Sequence, residues 1–231
     1  MSGQAVTPRH PMREFRASLL AIALVTFSPS LPAIALFDGP LERLPLDARV
    51  AVREGAAYVD LEAGQFRGYV LIDATPEKAW QVLTDYEQFP QFLPNTLDYT
   101  ILSESGPASR TSETDQTNNA VGRTLQVESV TSARVLLLQV QSRDRFDIVE
   151  QPFERIEFEL VSSETLRDMS GAWSLEVVES ALSDRPQVLI GYEAAATPTN
   201  QFSAGAFANI FQTQLEGTLT AIQQEVLRRG S

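Results

Sequence analysis

"ATPEKAWQVLTDYEQFPQFLPN", residues 74–95, decides how the rest of the chain is read. Its first half starts a helix. Thr75 is placed to cap the N-terminus, Pro76 takes the first helical position, and Ala79, Trp80, Val82 and Leu83 form one apolar stripe. Its second half sets Tyr86, Phe89, Phe92 and Leu93 around Pro90 and Pro94, which fix φ and remove backbone donors. Two aromatics three residues apart between prolines cannot all turn inward. Core filler and a lid or apolar contact surface both remain open readings for them.

Outward from this stretch, period-two patterns prevail. Residues 58–73 read as one long strand or a bent pair, and Leu97–Ser105 as a strand. Residues 106–122 are polar and punctuated, a loop. Three strands are expected between residues 123 and 163, where Arg155–Leu160 alternates charged and apolar residues without a break. Gly171–Ser180 alternates too, with Trp173, Leu175 and Val177 on one face, and 187–198 follows after a turn. Ser203–Arg229 carries Phe207, Ile210, Phe211, Leu215, Leu219, Ile222 and Val226 at three- and four-residue spacing, a long amphipathic helix. Strands joined by short turns give an antiparallel sheet, with the helices expected on one face. The fold class is α+β.

The N-terminus is laid out as an export signal. Arg9, Arg13 and Arg16 precede the apolar run Ala17–Phe27, and Ala33 and Ala35 supply an Ala-x-Ala site. The expected division is 1–35 signal peptide, 36–57 leader, read as irregular or briefly structured, and 58–231 folded domain. Removal of 1–35 takes away three arginines and Glu14, moving the net charge from −12 to −14. The periplasm, a thylakoid lumen and the extracellular space all fit. Acidity argues against nucleic acid as a partner.

His10 is the only histidine and there is no cysteine. The processed chain would hold neither imidazole nor thiol, which excludes Ser-His-Asp and Cys-His nucleophilic catalysis and zinc sites of the Cys/His type. No calcium-loop or Gly-rich nucleotide motif occurs. No catalytic residue, metal or cofactor is assigned. Arg123, Arg134, Arg143 and Arg145, with Asp144 and Asp147 nearby, read as surface ion pairs.

"VLIDATPEKAWQVLTDYEQFPQFLPNTLDYTIL", "GAWSLEVV", "VLIGYEAA" and the terminal helix together resemble the polyketide cyclase/dehydrase and coenzyme-Q-binding START-like proteins, members of the SRPBCC helix-grip superfamily. The resemblance covers roughly residues 68–228. It implies a curved antiparallel sheet of six to seven strands wrapped around the C-terminal helix, enclosing an apolar cavity for lipids, quinones, sterols or polyketides. The Tyr-x-x-Phe-Pro-x-Phe-x-Pro run matches the membrane-associated quinone-binding branch, from which the export signal and the long polar loop depart.

By this analogy Phe89, Phe92 and Leu93 cap one end of the cavity. Trp80, Trp173, Tyr192, Phe207, Phe211 and Leu215 are candidates to line it, with Arg123 as a polar contact to a ligand carbonyl. The expected partner is a hydrophobic small molecule (lipid, quinone or polyprenoid), with transient membrane contact. Two other readings stand beside the binder: a cyclase or dehydratase working through a cavity carboxylate or a Tyr/Arg pair, and an accessory module docking on a membrane complex. A buried titratable group facing the cavity discriminates the enzyme.

Overall fold

The computed structural model describes residues 39–106, 122–135, 138–179, 186–199 and 204–230. The proposed export signal and most of the polar stretch 106–122 lie outside the described residues. A 3-10 turn (Gly39–Arg43) and helix α1 (Leu46–Arg53) precede the hairpin β1 (Tyr58–Glu62) and β2 (Gln65–Ile72). Helix α2 (Pro76–Leu83), a 3-10 turn (Tyr86–Gln88) and the short helix α3 (Phe89–Phe92) follow. Six strands come next: β3 (Thr96–Ser105), β4 (Arg123–Val135), β5 (Leu138–Gln151), β6 (Arg155–Ser163), β7 (Leu166–Val178) and β8 (Gln187–Pro198). Helix α4 (Ala204–Gly230) closes the domain.

All eight strands form one antiparallel sheet in the order β1-β2-β8-β7-β6-β5-β4-β3. This is the helix-grip architecture, with one strand more than expected. The extra strand arises because 58–73 breaks at Ala63–Gly64, both at positive φ, with Glu62 paired to Gln65. A two-residue turn of that hand matches the twist of the strands it joins. Register shifts in the β3–β4, β5–β6 and β7–β8 pairings help curve the sheet.

The main core lies between the concave face and α4. Val70, Ile72, Val188 and Ile190 meet Leu215, Leu219, Ile222 and Val226 there. Close approach of α4 to β2 depends on Gly68, where a Cβ would lie 2.6 Å from Leu219 Cδ1. The C-terminal end of α4 is tied to α2 by the single lysine, whose Nζ donates to the Gly230 carbonyl at 3.1 Å.

The expectation that helices occupy one face is corrected. Ala48 and Val52 of α1, with Leu41 and Leu44, pack on Leu71, Val178 and Leu189, the alternate set of side chains on β2, β7 and β8. Burial on both faces explains why "QVLIGYEAAA" lacks polar alternation. Val177, expected beside Trp173 and Leu175, is instead half exposed. Among the described residues no helix is long and apolar enough to cross a membrane.

Candidate functional site

Residues 74–95 build the cap. Lys78 N donates to Thr75 Oγ1 at 3.4 Å, and Thr84 closes α2 by donating its hydroxyl to the Trp80 carbonyl at 2.9 Å. Asn95, at φ 64°, reverses the chain into β3, and its carbonyl accepts from Ser132 N at 2.8 Å. Between these turns Tyr86 stacks on Tyr99 at 5.6 Å, and Phe89 meets Tyr99 edge-on at 4.9 Å and Phe92 at 5.7 Å. Phe89 is buried; Phe92 is half-buried, with the Arg229 guanidinium over its ring at 5.9 Å. The two aromatics divide the roles the sequence left open, one inward and one at the rim.

Between cap, sheet and α4 lie two adjoining chambers of about 220 and 230 Å³. They share Ser129, Thr131, Phe146 and Met169 as common wall. The chamber under the cap is aromatic: Tyr86, Phe89, Tyr99, Phe158, Trp173 and Tyr192 surround it. Trp173 meets Tyr192 edge-on at 4.7 Å, and Tyr192 stacks on Phe158 at 5.7 Å. The other chamber, under the N-terminal half of α4, combines Phe207, Ile210 and Phe211 with Ser142, Asp144, Thr165 and Gln214.

Among the expected site residues, Phe89, Leu93, Trp173 and Tyr192 line the cap chamber, and Phe207 and Phe211 line the other. Trp80, Phe92, Leu215 and Arg123 line neither. Trp80 faces Phe153 at 5.7 Å, and Leu215 is core against Gly68. Arg123 is committed elsewhere: its Nε and Nη2 donate to Glu150 at 3.1 and 2.9 Å, and its Nη1 to Glu104 at 3.4 Å. The buried Glu150 also accepts the Tyr86 hydroxyl at 2.8 Å. Burial, then the adjacent Glu150 charge, push the Tyr86 phenol well above its usual range. The three groups clamp the cap to β4 and β5.

The reading of Asp144 as a surface ion-pair partner is corrected. Strand β5 alternates Val140, Ser142, Asp144, Phe146, Ile148 and Glu150 inward with Arg143, Arg145 and Asp147 outward. The two arginines bind Glu128 on the outer face at 2.5 and 2.8 Å. Asp144 instead accepts the hydroxyls of Ser142 and Ser163 on Oδ1, at 2.6 and 2.5 Å. Burial raises its carboxyl above the usual aspartate value. Among the described residues lining either chamber it is the single charged side chain. Strand parity is the signal that finds it: residues two apart from Phe146 share its face.

The family model for polyketide cyclase/dehydrase and lipid transport matches residues 72–223. No curated protein matches the sequence. Among solved structures, a START superfamily protein from Mycobacterium smegmatis is 14% identical with a TM-score of 0.53, over 71% of this chain and 98% of its own. A protein from Thermus thermophilus is 15% identical with a TM-score of 0.52, over 72% and 99%. A di-domain aromatase/cyclase from the steffimycin biosynthetic pathway is 12% identical with a TM-score of 0.51, over 80% of this chain and 56% of its own. These likenesses concern the fold. With two-thirds of its length under the family model, and a sheet closed on a C-terminal helix around a cavity, the chain belongs to the polyketide cyclase/dehydrase and lipid transport family.

Proposed function

We propose that the protein is an exported carrier or presenter of a hydrophobic small molecule, a lipid, quinone or related polyprenoid, held between sheet and α4. The observation that carries this reading is the pair of chambers with a common wall, mostly aromatic and aliphatic, beneath a proline-stiffened cap. Such a wall suffices for reversible binding. At about 0.8 kcal/mol per buried CH₂, a ten-carbon tail gains roughly 8 kcal/mol before several kcal/mol of association cost. The family description includes lipid transport, which supports the same reading. Export rests on the basic-then-apolar N-terminus and its Ala-x-Ala site.

Native mass spectrometry and solvent extraction of the protein purified from its own host test this. An apolar molecule is expected to co-purify at near-stoichiometric amount. Empty protein that takes up no apolar probe refutes the reading. N-terminal sequencing of the same material tests export, with Leu36 expected first.

One observation favours a second reading, a cyclase or dehydratase. Asp144 is a buried carboxylate on the cavity wall, the kind of group a general acid or base requires. Among the described residues lining either chamber the other titratable groups are tyrosines in the cap chamber, so binding is preferred. Conversion of an extracted ligand by wild-type protein, abolished in Asp144→Asn, would reverse that preference.

A further inference from the structure

The chamber that holds Asp144 differs from its aromatic neighbour in one respect: it has a polar end that is assembled rather than incidental. Asp144 is 7% exposed, yet among the described residues no arginine or lysine reaches it. Both of its hydroxyl donors fall on Oδ1. Among the described residues Oδ2 receives no hydrogen bond. The sealed side-chain atoms without a partner among the described residues are Arg49 Nε and Thr199 Oγ1, so Oδ2 is open to the chamber, and an acceptor open to a mostly apolar chamber is a binding position for a donor.

The donors are themselves held. Thr165 Oγ1 lies 2.8 Å from Ser142 Oγ, so one hydroxyl chain runs from Thr165 through Ser142 to Asp144. Ser163 Oγ accepts Thr165 N at 3.0 Å and Leu166 N at 2.9 Å while its own proton goes to Asp144. Ser163 faces inward only because β6 carries an extra residue at this point. Phe146 pairs with Leu160 but Arg145 pairs with Ser162, so Val161 is left over. Val161 and Ser162 both turn to solvent, and the inward phase passes to Ser163, directly opposite Asp144. A bulge is the usual means of re-aiming a strand side chain beside a functional site.

Charge then sets what can bind. Among the described residues neither chamber is lined by a cation, and Asp144 supplies the one charge. A carboxylate or phosphate head would sit against Asp144 with nothing to neutralise it. An ammonium head would itself have to leave water, a desolvation that ion pairing often fails to offset. A neutral hydroxyl meets neither penalty and fills the vacant acceptor.

We propose that Asp144 Oδ2, oriented by Ser142 and Ser163, accepts a hydrogen bond from the hydroxyl of a neutral apolar alcohol or phenol whose hydrocarbon body fills the adjoining aromatic chamber. The ligand class is thereby narrowed from lipids at large to uncharged hydroxylated ones, with fatty acids and phospholipid anions selected against. This rests on the carrier reading above and deepens it.

The test is displacement of Nile red from the delipidated full chain at pH 7.5 by dodecane, 1-dodecanol and dodecanoate. Dodecanol is expected to bind about tenfold or more tighter than dodecanoate, as for a hydrogen bond to a charged group. Asp144→Asn should weaken dodecanol about tenfold, leave dodecane unchanged and improve dodecanoate. Ser163→Ala, which keeps the carboxylate but loosens it, should fall between. Circular dichroism establishes that each variant is folded; if Asp144→Asn is not, Ser163→Ala decides alone. Dodecane bound without preference for alcohol over acid, or a preference that survives in the variants, overturns the inference and leaves the carrier reading standing. Uptake of neither Nile red nor dodecane overturns both.

Discussion

Asp144 and Arg145 are neighbours in the chain and face opposite sides of β5. The carboxylate is buried on the cavity wall under two serine hydroxyls, and the guanidinium is half exposed, 2.8 Å from Glu128 on the outer face. The arginines that would neutralise Asp144 are thus separated from it by the thickness of the sheet.

A stability consequence follows from that isolation. Burial raises the folded-state pKa of Asp144 above its ordinary 3.8, so the folded chain binds a proton the unfolded chain has released. Stability from this group is complete below about pH 3.8 and declines as pH rises through the folded value. Asp144→Asn keeps the shape, and its side-chain oxygen can still accept the serine hydroxyls. The variant is expected to gain a few degrees in Tm relative to wild type at about pH 7–8. That gain should shrink toward about pH 4. Thermal melts of both proteins across this range measure it, and a constant offset would contradict the account.

Much of this fold could be read from local pattern, because strand and helix periods are imposed residue by residue. The unbroken alternation of Arg155–Leu160 does place Ile156, Phe158 and Leu160 inward, and the three- and four-residue spacing of Leu215, Leu219, Ile222 and Val226 does mark the buried stripe of α4. The site is less legible. Asp144 sits between two arginines, and proximity in sequence suggests pairing where strand parity forbids it. Ser163 depends on a bulge that only the pairing with β5 reveals. Helix α1 is hard to read because it buries only Ala48 and Val52, on a face of the sheet that the alternating strands suggest is left to solvent.

Tyr86→Phe removes the one hydroxyl that, among the described residues, ties the cap to β5. Glu150 keeps Arg123 on both oxygens but loses a 2.8 Å donor in a buried setting. The expected cost is about 1–2 kcal/mol in urea unfolding, with the slope unchanged. Because the Tyr86 ring also lines the cap chamber, Phe preserves the wall and apolar binding should persist. A loss of binding without loss of stability would mean that the hydroxyl serves the ligand instead.

Two glycines can be ranked by what an added methyl would meet. At Gly68 the obstacles are the ends of Leu219 and Leu215, at 2.6 and 3.3 Å, which can shift at some cost in packing. At Gly171 a Cβ would stand 2.2 Å from the Glu193 carbonyl oxygen and 2.7 Å from Ala194 Cβ, so β7 and β8 would have to separate. Gly68→Ala is expected to destabilise by about 1–3 kcal/mol, and Gly171→Ala by more, to the point of poor folding. Chemical denaturation of the pair checks the order; the reverse order would show that the β7–β8 contact yields more readily than the α4 core.

Acid sensitivity should be concentrated at the end of α4. Glu225 is buried and accepts Arg228 at 2.6 and 2.7 Å and Arg229 at 2.6 Å, while Arg229 also reaches Asp85 at 2.7 Å beneath the cap. The hydrogen bonds from Arg228, followed by those from Arg229, hold the Glu225 carboxyl down at about 2, against an ordinary 4.5. A depressed folded-state value contributes stability that is present above pH 4.5 and lost as pH falls toward 2. Glu225→Gln should therefore lower Tm at about pH 7 by roughly 2–5 °C, with the two proteins converging near about pH 2. It should also leave Arg229 held by Asp85 alone and loosen the cap. Parallel melts from neutral to strongly acidic pH distinguish this from a simple packing defect, which would keep the same gap throughout.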